Sequence, residues 1–313
     1  MNKLYHPLPG TPNECMNRSL KNLALNSAHR FGLLQNLHLF DFSHDSLYVL
    51  VYHRVDWEHS QPRLDPRNLS ATPAQFEQQM RLLSEEYHPV TADDVLAAVA
   101  GNKKLPPRAV LVTVDDGYRD FKEYIWPIAM RYQIYPVLFV PTSFVGSGSF
   151  WWDQLYDALK RTALKEIETP VGILSLQNLL ERSQAFVSLA NYMKSAPFDS
   201  AMAIIRDLCG ELIPDPFDDR RITLDWDELR ELASSGVTIA PHTHTHPALR
   251  NISDEQVRFE LSECQRLIRT EIGSSNLLFA YLWYTSSYRR GWKNTPRNGL
   301  SVSIYDDSWP CPA

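Results

Sequence analysis

Two hydrophobic rhythms alternate along this chain. The first is the short continuous apolar run: Leu47 to Tyr52, Ala109 to Val114, Pro136 to Val140, Val237 to Ala240, and Leu277 to Tyr281. Runs of this length bounded by turn residues read as strands buried on both faces of a parallel sheet. The second is helical spacing. Thr72-Pro73-Ala74-Gln75 offers a capping box with proline at the first helical position, followed by Phe76, Met80, Leu83 and Tyr87 on one stripe. Thr91 caps a helix running to Gly101, and further helices are predicted from about Tyr118 to Tyr132 and from Asp225 to Ala233. Another starts at Ser253, with Val257, Leu261, Cys264 and Ile268 on its inner face. Strands separated by helices of 10 to 15 residues predict a parallel α/β sheet.

Three stretches fall outside this alternation. Leu20 to Leu39 carries Leu20, Leu23, Ala24, Ala28, Phe31 and Leu34 at helical spacing, which predicts an N-terminal helical extension over residues 1–45. Its polar face mixes Asn, Gln and His and is not richly basic, so a helix packed on the domain fits better than one lying on a membrane. Residues 150–221 show helical periodicity but no convincing strand, and are read as a helical insertion. Residues 282–313 show no apolar periodicity and are read as an atypical tail.

Composition narrows the function. With 313 residues, 44% hydrophobic and 22% charged, the chain can bury a sizeable core, either as two domains or as one α/β barrel with insertions. A net charge of −6 without a Lys/Arg cluster argues against a nucleic-acid partner. Cys15, Cys209, Cys264 and Cys311 are scattered, with no spacing of a disulfide framework or zinc cage. No run approaches a membrane span, and the N-terminus lacks the apolar core of a secretion signal. The expected location is cytoplasmic, with peripheral membrane association as the alternative.

The chemistry sits where two apolar runs end. The run to Val114 stops at Asp115-Asp116-Gly117, and the run from Val237 stops at Pro241-His242-Thr243-His244-Thr245-His246-Pro247. In barrels of parallel strands, active sites lie at the carboxyl ends of the strands. Two imidazoles and one carboxylate can hold a divalent cation with a position left open for water, and a second carboxylate can then take a proton from that water. Adjacent aspartates point to opposite faces of an extended strand, so sharing one site needs a backbone turn, which Gly117 permits. His242 and His246 share one side of a helical turn, whereas an extended segment would align His244 with them. Pro247 favours a single turn or loop. A strand-end Asp-Asp can also be an ordinary cap, and His-rich tracts bind metal adventitiously. The joint placement of the two motifs favours function.

Thr113-Val114-Asp115-Asp116-Gly117 resembles the T-F-D-D-G motif of the polysaccharide deacetylases, the NodB-homology group of carbohydrate esterase family four. His242-Thr243-His244-Thr245-His246-Pro247 resembles their H-[ST]-x-[ST]-H-P motif. Tyr52-His53-Arg54-Val55, Leu105-Pro106-Pro107-Arg108 and Leu138-Phe139-Val140-Pro141-Thr142 support it, and the likeness covers residues 46–281 apart from the insertion. The resemblance implies a distorted (β/α)7 barrel that removes N-acetyl groups from N-acetylglucosamine-type carbohydrate using a divalent metal, foremost Zn2+ with Co2+ or Ni2+ as alternatives. By position, Asp115 would be the general base and Asp116, His242 and His246 the ligands. Tyr281 marks where a third motif would supply an oxyanion-binding N–H, and His53 would line the pocket.

The chain departs from that pattern after Tyr281. Leu282-Trp283-Tyr284-Thr285 stands where something like P-[YF]-G is expected, and no histidine follows His246 to protonate the leaving amine. Leu-Trp-Tyr-Thr can be encoded CTT-TGG-TAC-ACN, which read one nucleotide later gives Phe-Gly-Thr, so a frameshift from Leu282 and an incomplete barrel end are the expectation. A remnant that binds metal or sugar without turnover, and a hydrolase of another non-peptide C–N bond, are the competing readings. An iron oxygenase would also use two histidines and a carboxylate, but the second aspartate suits hydrolysis better.

Overall fold

The computed structural model describes residues 47–147, 149–213, 221–274 and 278–280. The expectations for residues 1–45, for Tyr281 and for the 282–313 tail lie outside the described residues. Nine strands are described: β1 Leu47–Tyr52, β2 Arg54–Val55, β3 Leu69–Ala71, β4 His88–Pro89, β5 Ala109–Val114, β6 Val137–Val140, β7 Glu166–Thr169, β8 Gly172–Ser175 and β9 Thr238–Pro241. The central sheet runs β1-β5-β6-β9, and every pairing in it is parallel. Strand β1 covers the whole of one edge of β5, Leu47 opposite Ala109 through Tyr52 opposite Val114. Strand β4 pairs with Ala109 and Val110 and β6 with Thr113 and Val114, so these two share the other edge. The strands, separated by helices, have the β/α layout of the expected barrel.

Eight α-helices accompany them among the described residues: α1 Pro73–Glu86, α2 Ala92–Val99, α3 Trp126–Arg131, α4 Trp151–Arg161, α5 Leu179–Ser195, α6 Phe198–Leu212, α7 Trp226–Ser234 and α8 Asp254–Ile272. Their starts are written in the sequence. Thr72, Thr91, Asp225 and Ser253 each accept from the backbone N–H three residues on, and Gln75, Asp94, Glu228 and Gln256 bond back to the cap N–H. Each reciprocal pair satisfies two otherwise orphaned donors. Helix α8 ends at Gly273 in the left-handed region, φ 76°, where glycine carries no Cβ penalty.

Both faces of the sheet are buried, which is why its strands read as unbroken apolar runs. Val110, Val112 and Val114 of β5, with Leu138, Val140 and Ile239, pack against Phe76 and Met80 of α1, Ile128 of α3 and Leu229 of α7. The alternate positions Ala109, Leu111, Val137, Phe139 and Ala240 form a second cluster with Val95 of α2, Leu278 and Ala280.

Three elements differ from the sequence expectations. The helix expected from Tyr118 begins at Phe121 with a wide π-type turn, Phe121–Ile125, before α3. Before it, the backbone N–H of Arg119 donates to Ile222 O and that of Leu224 to Gly117 O, so the chain is still bridging to another segment. The insertion expected to be helical contains the antiparallel hairpin β7–β8, closed by Thr169-Pro170-Val171-Gly172. Of its eight strand residues only Ile167 is buried, so neither strand shows an apolar run. Leu278–Ala280 is not a strand, although the Ala280 N–H donates to Pro241 O at 3.3 Å beside β9.

Candidate metal centre

The end of β5 and the end of β9 meet with β6 between them. Asp115 N–H continues the β1 ladder by donating to Tyr52 O at 2.9 Å, and His242 N–H continues the β6 ladder by donating to Val140 O at 3.1 Å. Strand parity sets where the first side chains fall. Val51, Thr113 and Ala240 lie on the face of Leu111 and Phe139, so the residues two further on, His53, Asp115 and His242, share it. Beyond those points both chains turn left-handed: Asp116 at φ 73°, Gly117 at φ 69°, Thr243 at φ 67° and His246 at φ 62°. Only glycine takes such angles freely, and each of the others costs about 1 kcal/mol or more. The turn attributed to Gly117 therefore starts one residue earlier, at Asp116 itself.

These turns bring the Asp116 carboxylate and two imidazoles together. Asp116 Oδ1 lies 3.1 Å from His246 Nε2 and 3.7 Å from His242 Nε2, and all three potential ligand atoms fall within 4.8 Å of one another. All three residues are buried. Asp115 Oδ2 stands 4.0 Å from His242 Nε2, on the rim of the same cluster. His53, also buried, is near enough to act electrostatically on both Asp116 and His242, while its own backbone N–H donates to Ser70 Oγ. His244 points elsewhere: Nδ1 bonds Thr142 Oγ1 at 2.9 Å and the ring meets Phe259 edge-on.

The electrostatics suit a cation. Burial and the neighbouring His246 push the His242 pKa down to about 3, so this imidazole is neutral at any ordinary pH. Burial alone would raise the Asp116 carboxyl, but the His246 hydrogen bond and the surrounding imidazoles outweigh it and leave it below the usual range. His242 Nδ1 lies 3.1 Å from Ala280 O. A carbonyl only accepts, so the proton sits on Nδ1 and the bare Nε2 lone pair faces Asp116. A lone pair aimed at a carboxylate is repulsive unless a positive charge sits between them. A backbone carbonyl that takes the other ring N–H and so fixes the tautomer is the usual arrangement for a metal-binding histidine.

Two supports were not apparent from sequence. Glu260, on the inner face of α8, accepts from the backbone N–H groups of His244 and Thr245 at 2.7 Å each and from Thr245 Oγ1 at 2.5 Å. It anchors the strained loop, inside which His246 N–H donates to Thr243 Oγ1 at 3.1 Å. Its signal was an acid on the apolar stripe of α8 between Val257 and Cys264. The second is an aromatic wall, in which the rings of Trp152 and Phe150 lie 4.9 and 5.8 Å from that of His246. Burial, with Asp153 and Asp116 alongside, holds the Tyr118 phenol behind this wall well above its ordinary pKa, and burial lifts Asp153 to about 7.

A strand-end carboxylate and two histidines beside a second carboxylate define the class to which the fold and the two motifs point. The polysaccharide deacetylase family model matches residues 102–282, more than half of the chain, and the protein belongs to that family. It is similar to the poly-beta-1,6-N-acetyl-D-glucosamine N-deacetylase of Escherichia coli K12, 31% identical over 99 residues. That match takes in 31% of this chain and spans only 14% of the relative. Among solved structures it resembles the Streptococcus pyogenes deacetylase PplD in complex with acetate, at 15% identity and TM-score 0.46, covering 75% of this chain and 73% of that one. It also resembles a de-N-acetylase from Aggregatibacter actinomycetemcomitans, at 18% identity and TM-score 0.44, covering 75% and 78%. Overlays this loose transfer no residue role to this chain.

Proposed function

We propose that this protein is a metal-dependent hydrolase that removes N-acetyl groups from an N-acetylglucosamine-type polysaccharide or oligosaccharide. The observation that carries the reading is the buried Asp116–His242–His246 cluster, with the Asp115 carboxylate at its rim. Two nitrogens and one oxygen suit Zn2+ and equally Co2+ or Ni2+. When bound, the ion would lower the pKa of a coordinated water and polarise the amide carbonyl.

The protein's own groups account for the rest. Asp116, with its lowered pKa, and neutral His242 supply ligands that need not lose a proton first. Asp115 reaches the cluster from the other side of the backbone turn and takes the proton of the attacking water. His53, on the same sheet face, lines the substrate pocket. Tyr281 remains assigned to the oxyanion-binding N–H by its motif position. The relative is a poly-beta-1,6-N-acetyl-D-glucosamine N-deacetylase, which supports an amino-sugar polymer as the substrate class.

Zinc content and acetate release from chitooligosaccharide and from β-1,6-linked N-acetylglucosamine oligomers, measured on parent, Asp115→Asn and His242→Ala, test this reading. The parent is expected to bind one zinc and release acetate, Asp115→Asn to keep zinc and lose release, and His242→Ala to lose both. A parent that holds zinc yet releases no acetate from either substrate overturns the activity and leaves a binding protein.

A further inference from the structure

The insertion contributes to the centre through one directed chain of hydrogen bonds. Asp65 N–H donates to Asp153 Oδ1 at 2.8 Å, and the other oxygen, Oδ2, accepts from the Tyr118 hydroxyl at 2.8 Å. Tyr118 Oη in turn accepts from the indole Nε1–H of Trp152 at 3.0 Å. All four residues are buried. Phe150 stacks on the indole at 4.5 Å with 6° between planes, and the His246 ring lies against both, 4.9 Å from Trp152 and 5.8 Å from Phe150. Trp152 and Asp153 open helix α4, whereas Tyr118 lies two residues beyond Asp116 on the β5 loop. One network thus touches both ligand-bearing loops from an element that carries no ligand.

We propose that Asp153, Tyr118 and Trp152 form a positioning relay that fixes the rotation of the His246 imidazole and so sets the geometry of the metal centre. Packing alone would leave the indole free to slide over its stacked neighbour. The Nε1–H bond removes that freedom, because an indole has a single donor and Tyr118 is where it is satisfied. The Tyr118 hydroxyl has one proton, committed to Asp153, so its oxygen must accept from Trp152; donation runs from Trp152 through Tyr118 to Asp153, whose other oxygen is held by Asp65 N–H. A histidine ring held by its neighbours presents Nε2 at one angle, and loss of such outer supports typically weakens metal binding 10- to 100-fold. This inference rests on reading Asp116, His242 and His246 as a metal site.

The test uses the full chain, in parent, Tyr118→Phe, Trp152→Phe and doubly substituted forms. Zinc affinity is measured by competition with a chromophoric chelator, and the visible absorption of the Co2+-saturated proteins is recorded. Each single variant is expected to bind zinc about 10-fold or more weakly and to show shifted Co2+ bands. The double variant should lose no more than the worse single one, as expected for a relay that acts as a unit. Parent-like affinity and spectra in both single variants overturn the relay, as does weakened affinity with unchanged Co2+ bands, which a general loss of stability would produce. A parent that binds no zinc would sink the metal site itself, a result distinct from either.

Discussion

Residue by residue, the centre depends on backbone angles as much as on side chains. Asp116, Thr243 and His246 all sit in the left-handed region, and Thr243 is β-branched, for which that region is an outlier. Such strain persists where the surroundings over-determine it. Asp115 and Asp116 differ accordingly in what their loss should do. Replacing Asp115 by Asn should lower the acetate-release rate by roughly 10^2- to 10^4-fold, the usual contribution of a general base, with zinc content unchanged by metal analysis. Replacing Asp116 by Asn should empty the site of zinc first. The pairing of a strand-end Asp-Asp-Gly with a His-x-x-x-His was legible in sequence because each motif is contiguous and its ligands follow a strand directly. Glu260, Tyr118 and Trp152 were not legible as parts of the centre, because no local pattern ties an acid on α8 or an indole on α4 to the histidine loop, or shows which way the Tyr118 ring turns.

Single elements were legible in proportion to how much of their signal was local. The capping boxes at Thr72, Thr91, Asp225 and Ser253 need only four consecutive residues, and all four helices start where the boxes place them. The β7–β8 hairpin was missed because only Ile167 of its strand residues is buried, so no periodicity betrays it. Helix α8 makes the sharpest prediction at this scale. Glu260→Ala leaves two half-buried N–H groups without their acceptor, at up to about 1–3 kcal/mol each, and frees a strained loop. Urea denaturation should show a loss of roughly 2–5 kcal/mol, and zinc affinity should fall with it. Thr72→Ala, which removes a cap far from the centre, should cost about 1 kcal/mol in the same measurement and leave acetate release at the parent rate.

For the whole molecule, the sheet is the part most fully readable from the chain, since strands buried on both faces cannot avoid being apolar. Its long-range pairing order was supplied by the structure. Two bulk measurements follow. Asp153 has its folded pKa raised from 3.8 to about 7, so the stability it contributes is full below about pH 4 and is lost as pH rises through about 7. Asp153→Asn should therefore flatten the stability of the metal-free protein between about pH 4 and about pH 7, read from urea midpoints at each pH. Removing zinc with a chelator should lower the melting temperature, since an ion bound only by the folded state stabilises it by mass action. His242→Ala should melt at one temperature with or without chelator, and a parent insensitive to chelation would contradict the proposed ligand set.

The position of β6 between β5 and β9 has a consequence for how the protein is made. Asp116 emerges from synthesis long before the two imidazoles, and the pair becomes neighbours only when the intervening strand has been zipped to both sides. A half-folded molecule can therefore offer an ion the aspartates or the imidazoles but not both, and tight uptake is reserved for chains in which β5, β6 and β9 are paired. The colour of bound cobalt would then clock the docking of the last described strand.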